Sequence, residues 1–301
     1  MQLKPKIKLL ISCLSPVKEA LALVENDNFE LSFQNRPAAN EAELADAIRD
    51  VDAVFFGIAH YYSADVLKQA KNLKLMSFCG TGYESFVDAK AAKELGIAIA
   101  NAPGANSESV AELAIGLALD ALRKISFTGA TGERPVTKEL SGLKIGLIGY
   151  GEINRRVHKI LAGGFGANVR YWNRTAVGGA VGLDTILRES DMIFLAITAN
   201  DETKNFIGAE EFAKMKDGVI IINPARKTLI DVDAAWAALE SGKVGVLAMD
   251  GILDADYPLR KFGSGRFIAT PHIGARTSEA HRRMETAALQ NIVDFFESEA
   301  K

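Results

Sequence analysis

One stretch of this chain combines an apolar strand, a tight glycine turn and a helix start: Lys144-Ile145-Gly146-Leu147-Ile148-Gly149-Tyr150-Gly151-Glu152-Ile153-Asn154-Arg155. Gly149 permits the turn, and Gly151 lets backbone approach a pyrophosphate lying over the helix N-terminus, where Glu152 and Ile153 follow. Asn154 stands where a third glycine usually serves close helix–strand packing. The next apolar run ends in Asn173, 22 residues past Gly151, where an NAD site carries an acidic ligand for the ribose hydroxyls. An asparagine followed by Arg174 removes that repulsion and offers a guanidinium to a 2′-phosphate. NADP(H) is therefore favoured over NAD(H), the plain alternative being a solvated arginine after a strand.

Two further residues have types suited to catalysis. Arg226, in Ile222-Asn223-Pro224-Ala225-Arg226, follows a strand end, and a guanidinium there can fork onto two oxygens of an anion. His272, in Thr270-Pro271-His272-Ile273-Gly274, follows another strand, and an imidazole pKa of ~6.5 suits proton donation near neutrality. His158 and His281 fall on helices and read as surface or packing residues.

Taken in order, Asn101-Ala102-Pro103-Gly104-Ala105-Asn106-Ser107-Glu108-Ser109-Val110-Ala111-Glu112, Glu139-Leu140-Ser141-Gly142, the Arg226 segment, Ala248-Met249-Asp250 and the His272 segment resemble the D-isomer-specific 2-hydroxyacid dehydrogenases. The resemblance implies hydride transfer between NAD(P)H and a small 2-keto/2-hydroxy acid, such as glyoxylate, hydroxypyruvate or a larger apolar relative. It makes Arg226 the catalytic arginine and His272 the acid/base histidine. Such a histidine pairs with a glutamate in the loop after the Asp250 strand. That loop, Asp250-Gly251-Ile252-Leu253-Asp254-Ala255-Asp256-Tyr257-Pro258, is short and holds none. Asp254 is the first substitute and Asp256 the second, and such a partner would raise the histidine's pKa. Thr198, Thr203, Asp250 and Gly274 join the cofactor side by the same resemblance.

Phe78-Cys79-Gly80-Thr81-Gly82-Tyr83 resembles the family's loop for the substrate carboxylate, with N–H groups of Gly80, Thr81 and Gly82 facing the anion. Gly57-Ile58-Ala59-His60-Tyr61-Tyr62 should face the rest of the substrate, with His60, Tyr61 and Tyr62 as an aromatic wall. It has no Arg or Lys, which argues against a phosphorylated substrate. Lys227 replaces the family's glycine after the arginine, and the segment between Arg123 and Leu143 is abbreviated. Two alternatives follow: a dinucleotide-sensing binding protein without turnover, and a weakly active relative.

The elements that must hold these residues are short apolar runs alternating with helix-period segments, the pattern of parallel sheets with crossover helices. Strands are expected at 7–14, 53–57, 75–79 and 97–100, then at 144–149, 168–172, 192–197, 219–223, 246–250 and 267–269. Helices are expected at 39–49, 63–70, 86–95 and 107–125, and a last one at 278–297 can return to the first unit. The expected fold is two doubly wound parallel-sheet α/β domains, Rossmann-like and flavodoxin-like, with the active site in a cleft at the strand C-termini. Residues 102–274 form the dinucleotide domain, and 1–101 completed by 275–301 form the substrate domain.

With 301 residues, a net charge of −3 and 48% hydrophobic composition, the chain has core enough for two domains. It gives no basis for nucleic-acid binding. No apolar run reaches the ~20 residues of a membrane span. The N-terminal lysines and short apolar run lack a cleavage site and suit a first strand. Cys13 and Cys79 read as buried free thiols of a reducing compartment, so a cytoplasmic protein is expected. The resemblance implies a homodimer.

Overall fold

The computed structural model describes residues 5–13, 15–57 and 60–299, and it divides into two compact units, Met1–Asn106 with Thr277–Lys301, and Ser107–Arg276. Ile58 and Ala59 of the proposed substrate-facing loop, and Leu14 of the first expected strand, lie outside the described residues.

The first unit holds β1 (Ile7–Ser12), β2 (Phe29–Phe33), β3 (Ala53–Phe56), β4 (Leu75–Phe78) and β5 (Ala98–Ala100). They form one parallel sheet in the order β2-β1-β3-β4-β5, the flavodoxin-like winding. Alternate residues serve opposite faces. Leu10, Val54, Phe56 and Met76 enter one core, while Leu9, Ile11, Phe55 and Leu75 enter the other. The second core is closed by the C-terminal helix Ser278–Glu299, whose Ala288, Leu289 and Ile292 are fully buried. Polar ties fix the same helix: Ser77 Oγ donates to Ala288 O at 2.7 Å, and Val17 N–H donates to Glu285 Oε2 at 2.6 Å. Burial, opposed by that N–H and by His281, raises the Glu285 pKa.

Edge strand β2 was not among the expected strands. Its Phe29-Glu30-Leu31-Ser32-Phe33 alternates apolar and polar, as an edge strand half open to water does, rather than running apolar throughout. Among the described residues, neither Cys13 nor Cys79 forms a disulfide. Burial, together with Glu285 and Cys13 close by, pushes the Cys79 thiol well up, which makes it a packing group rather than a nucleophile.

The second unit holds β6 (Lys144–Ile148), β7 (Asn168–Trp172), β8 (Met192–Leu195), β9 (Val219–Asn223), β10 (Val244–Asp250) and β11 (Phe267–Thr270). All pairings are parallel, in the order β7-β6-β8-β9-β10-β11. Ile145, Leu147, Phe194 and Ala248 face the long helix Ser107–Arg123, packed through Ala111, Ala114 and Ala118. Ile148, Ile193, Leu195 and Leu247 build the opposite core. The abbreviated segment between Arg123 and Leu143, where no helix was expected beyond residue 125, contains a further one, Ile125–Thr131, with no buried residue. Residues 102–106, expected in the dinucleotide domain, pack with the first unit, where Ala102 N–H donates to Gly80 O at 2.7 Å and Arg283 Nε donates to Ala105 O at 2.8 Å. Among the described residues, no helix is long and apolar enough to cross a membrane.

Candidate active site

Parallel pairing puts the C-terminal ends of β6 to β11 along one edge of one sheet. Read across that edge, the strands deliver Arg174 after β7, Gly149 after β6, Thr198 after β8, Arg226 after β9, Asp250 at the end of β10 and His272 after β11. Strand order reverses between β6 and β8, the switch point where such sheets receive ligands. The glycine turn stands there.

Gly149 has φ 88°, and a Cβ on it would lie 2.4 Å from Ala196 O, so no other residue fits without moving the β8 end. Gly151 begins the helix Glu152–Phe165 with no side chain capping its N–H groups, and a Cβ there would meet open space. An uncapped helix start beside two glycines fits a dinucleotide pyrophosphate. Glu152 turns its carboxylate onto Arg156 Nη1 at 2.6 Å, which holds its pKa down and leaves its backbone at the helix start. Ile153 packs its side chain on the core.

Asn154 replaces the packing glycine by hydrogen bonding. It is fully buried, and its Nδ2 donates to Gly149 O at 2.7 Å and Ile148 O at 3.2 Å, stapling the helix to the turn. Tyr150 lies flat on Tyr171, with ring centroids 3.6 Å apart, and its hydroxyl pairs with His158 Nδ1 at 2.8 Å. His158 is thus a packing residue of this turn. Asn173 accepts the Tyr150 N–H on Oδ1 at 2.9 Å and donates to Thr175 Oγ1 at 2.8 Å. Its amide therefore shapes the turn, and Arg174 beside it presents the charge. Thr203 is likewise internal: its hydroxyl donates to Thr198 O at 2.7 Å and it is 8% exposed, so it stiffens the β8 loop rather than opening to a ligand.

Arg226 is half-buried in extended backbone (φ −142°, ψ 144°). The fully buried Asn223 grips this loop, its Nδ2 donating to Arg226 O at 2.8 Å and its Oδ1 accepting the Ala225 N–H at 3.0 Å. His272 has φ 57°, the left-handed region that a non-glycine residue adopts at a cost of about 1–3 kcal/mol. Asp250 sustains it. This carboxylate is 1% exposed and accepts Thr270 Oγ1 at 2.7 Å, Ile273 N–H at 2.9 Å and Gly274 N–H at 2.8 Å. A Cβ on Gly274 would press to 2.9 Å from Asp250 Oδ2, so glycine there belongs to the same clamp. Asp250 and Gly274, expected on the cofactor side, both hold the histidine's turn. The small-residue step Ile273-Gly274 after the histidine was the available signal.

The carboxylate expected to pair with His272 pairs with Lys227 instead. Asp254 accepts Lys227 Nζ at 2.5 Å, and among the described residues neither it nor Asp256 bonds the imidazole. Lys227, one residue past Arg226, reaches the β10 loop first and captures the carboxylate. The pKa direction reverses with it. Burial first, then the Arg226 charge and to a lesser degree that of Arg276, hold His272 below the ordinary imidazole value against the opposing pull of Asp250.

In the first unit, Gly80 packs so closely that a Cβ would lie 2.5 Å from the Phe78 ring, and its N–H already donates to Phe78 O at 2.9 Å. The N–H groups of Thr81 and Gly82 have no partner among the described residues, so the expected anion loop rests on these two rather than three. His60 does not face outward. Its Nε2 accepts the Ala38 N–H at 2.7 Å and its Nδ1 lies 3.3 Å from Ser12 Oγ, with burial lowering its pKa. Tyr62 is fully buried with its ring edge-on to Phe56 at 5.4 Å. Of the expected aromatic wall only Tyr61, 49% exposed, is open.

The family model described as D-isomer specific 2-hydroxyacid dehydrogenase, NAD binding domain, matches residues 115–274. The hydroxypyruvate reductase of Thermotoga maritima is 36% identical over 91% of this chain and 94% of its own length. The D-3-phosphoglycerate dehydrogenase of Methanocaldococcus jannaschii is 34% identical over 83% of this chain, which spans only 51% of that protein. Among solved structures, a glyoxylate reductase from Paecilomyes thermophila superposes with a TM-score of 0.84 at 30% identity, covering 96% of this chain and 95% of its own.

Proposed function

This chain belongs to the D-isomer specific 2-hydroxyacid dehydrogenases, and from that premise we propose that it reduces a small, unphosphorylated 2-keto acid using NADPH. The observation that carries this reading is the placing of Arg226 and His272 at strand ends of the same sheet edge that holds the glycine turn. When bound, the nicotinamide supplies hydride to the substrate's C2. Gly149, Gly151 and the start of the Glu152–Phe165 helix would hold its pyrophosphate, and Arg174 would meet the 2′-phosphate. Arg226 forks onto the substrate carboxylate and carbonyl oxygen and stabilises the charge that develops there. His272 gives its proton to that oxygen and takes another from solvent.

The full-length match to a hydroxypyruvate reductase supports an unphosphorylated substrate, as does the lack of Arg and Lys in residues 57–62. The phosphoglycerate dehydrogenase match covers about half of that protein. Comparing kcat/KM for hydroxypyruvate and 3-phosphohydroxypyruvate tests the choice, and a clear preference for the second reverses it. A homodimer belongs to the same proposal and is read by light scattering on the eluting protein.

The cofactor assignment has its own test. Arg174→Ala should weaken NADPH binding by about 1–3 kcal/mol, the worth of a hydrogen bond to a charged group, and spare NADH. Titration calorimetry with both dinucleotides measures this. Equal losses for the two would remove the assignment.

A further inference from the structure

The turn after β8 brings a carboxylate to the cation assigned to the 2′-phosphate. Arg174 Nη1 lies 3.0 Å from Glu202 Oε2, and both side chains are open to solvent, at 68% and 78% exposure. The two residues come from different strand ends, after β7 and after β8, and β6 with its glycine turn lies between them in the sheet. Glu202 does not hang on a loose loop. Its neighbour Thr203 is buried, donates Oγ1 to Thr198 O at 2.7 Å, accepts the Asn200 N–H at 2.8 Å, and donates its own N–H to Asn200 Oδ1 at 3.1 Å. Arg174 is held from its own side, since Asn173 is fixed to the glycine turn and to Thr175. A stiff turn therefore sets a negative charge against the cation that the proposed function gives to the 2′-phosphate.

The geometry points to Glu202 as a cofactor-specificity residue, its carboxylate competing with the 2′-phosphate for Arg174 and so limiting the preference for NADPH over NADH. This inference rests on the reading of Arg174 as the 2′-phosphate ligand. The chemistry is simple exchange. A phosphate that reaches Arg174 must displace the carboxylate and sit beside it, whereas a dinucleotide with a free 2′-hydroxyl leaves the ion pair in place. Because the pair is exposed, its strength is modest and falls with salt.

The test is titration calorimetry of the whole chain with NADPH and with NADH at low ionic strength, for wild type, Glu202→Gln, Arg174→Ala and the double variant. Glu202→Gln should tighten NADPH about two- to fivefold, the range that an exposed ion pair spans, with NADH unchanged. The gain should shrink as salt is added and be smaller in the Arg174→Ala background, where no cation is left to release. Unchanged NADPH affinity in Glu202→Gln would overturn the competition. Weakened NADH would instead make Glu202 a ribose ligand, and an equal gain in both backgrounds would mean that it acts on the phosphate directly. If Arg174→Ala affects both dinucleotides alike, it is the reading of Arg174 that fails, whatever Glu202 does.

Discussion

Replacing His272 with asparagine should lower kcat for keto-acid reduction by about 10²–10⁴-fold, the usual worth of a positioned general acid. Dinucleotide affinity should stay nearly unchanged, because the glycine turn and Arg174 do not depend on the imidazole. Asparagine also tolerates the left-handed backbone at this position, where φ is 57°, so the turn is expected to survive. Reduction consumes imidazolium, and burial with the Arg226 and Arg276 charges lowers its pKa. The reductive rate should therefore fall as pH rises through a value below ~6.5, the ordinary imidazole value. Oxidation of the hydroxy acid needs neutral imidazole and should rise through the same value. Asp254→Asn should leave that limb in place, since its carboxylate is held by Lys227. A kcat/KM pH profile for each direction checks both signs. A reductive limb above the ordinary imidazole value, or one that Asp254→Asn moves downward, would restore a carboxylate partner.

Arg226→Gln should cost about 10²–10³-fold in kcat/KM, comparable to removing a donor that stabilises developing negative charge. Part should appear in KM, through the lost grip on the substrate carboxylate, and part in kcat, through the unsupported carbonyl oxygen. The same variant carries a second signature. Removing a cation that depresses His272 should move the alkaline limb of residual reduction upward. Loss of rate with no movement of the limb would mean that Arg226 and His272 do not share one site.

Much of this site was legible in the chain because parallel strands buried on both faces read as continuous apolar runs, and glycine, proline or a polar residue marks their ends. Gly149, Arg226 and His272 each follow such a run, so their common edge follows from topology alone. Strand β2 escaped because an edge strand alternates instead of running apolar. Side-chain partners were less legible, since several groups compete for each one and loop geometry decides among them. Asp254 reads as a partner for the histidine until Lys227 is seen to hold it. Asp250 reads from the sequence as a cofactor-side residue, and its three hydrogen bonds to the histidine's own turn become visible only in the folded loop. Tyr62 and His60 look like a substrate wall because a short run after a strand end does not say which side faces inward; one is core, and the other is tied to Ala38. Asn154 looks like a lost glycine, yet it restores by hydrogen bonding the closeness that glycine gives by size.

The most direct test of catalysis by this chain follows consumption of the reduced dinucleotide with glyoxylate, hydroxypyruvate and phenylpyruvate, under conditions allowing many turnovers. Steady turnover is expected with at least one of these acids, faster with NADPH than with NADH, and with a D-configured product where C2 becomes a stereocentre. Tight dinucleotide binding without turnover on any of them would contradict it and leave a sensing protein in its place.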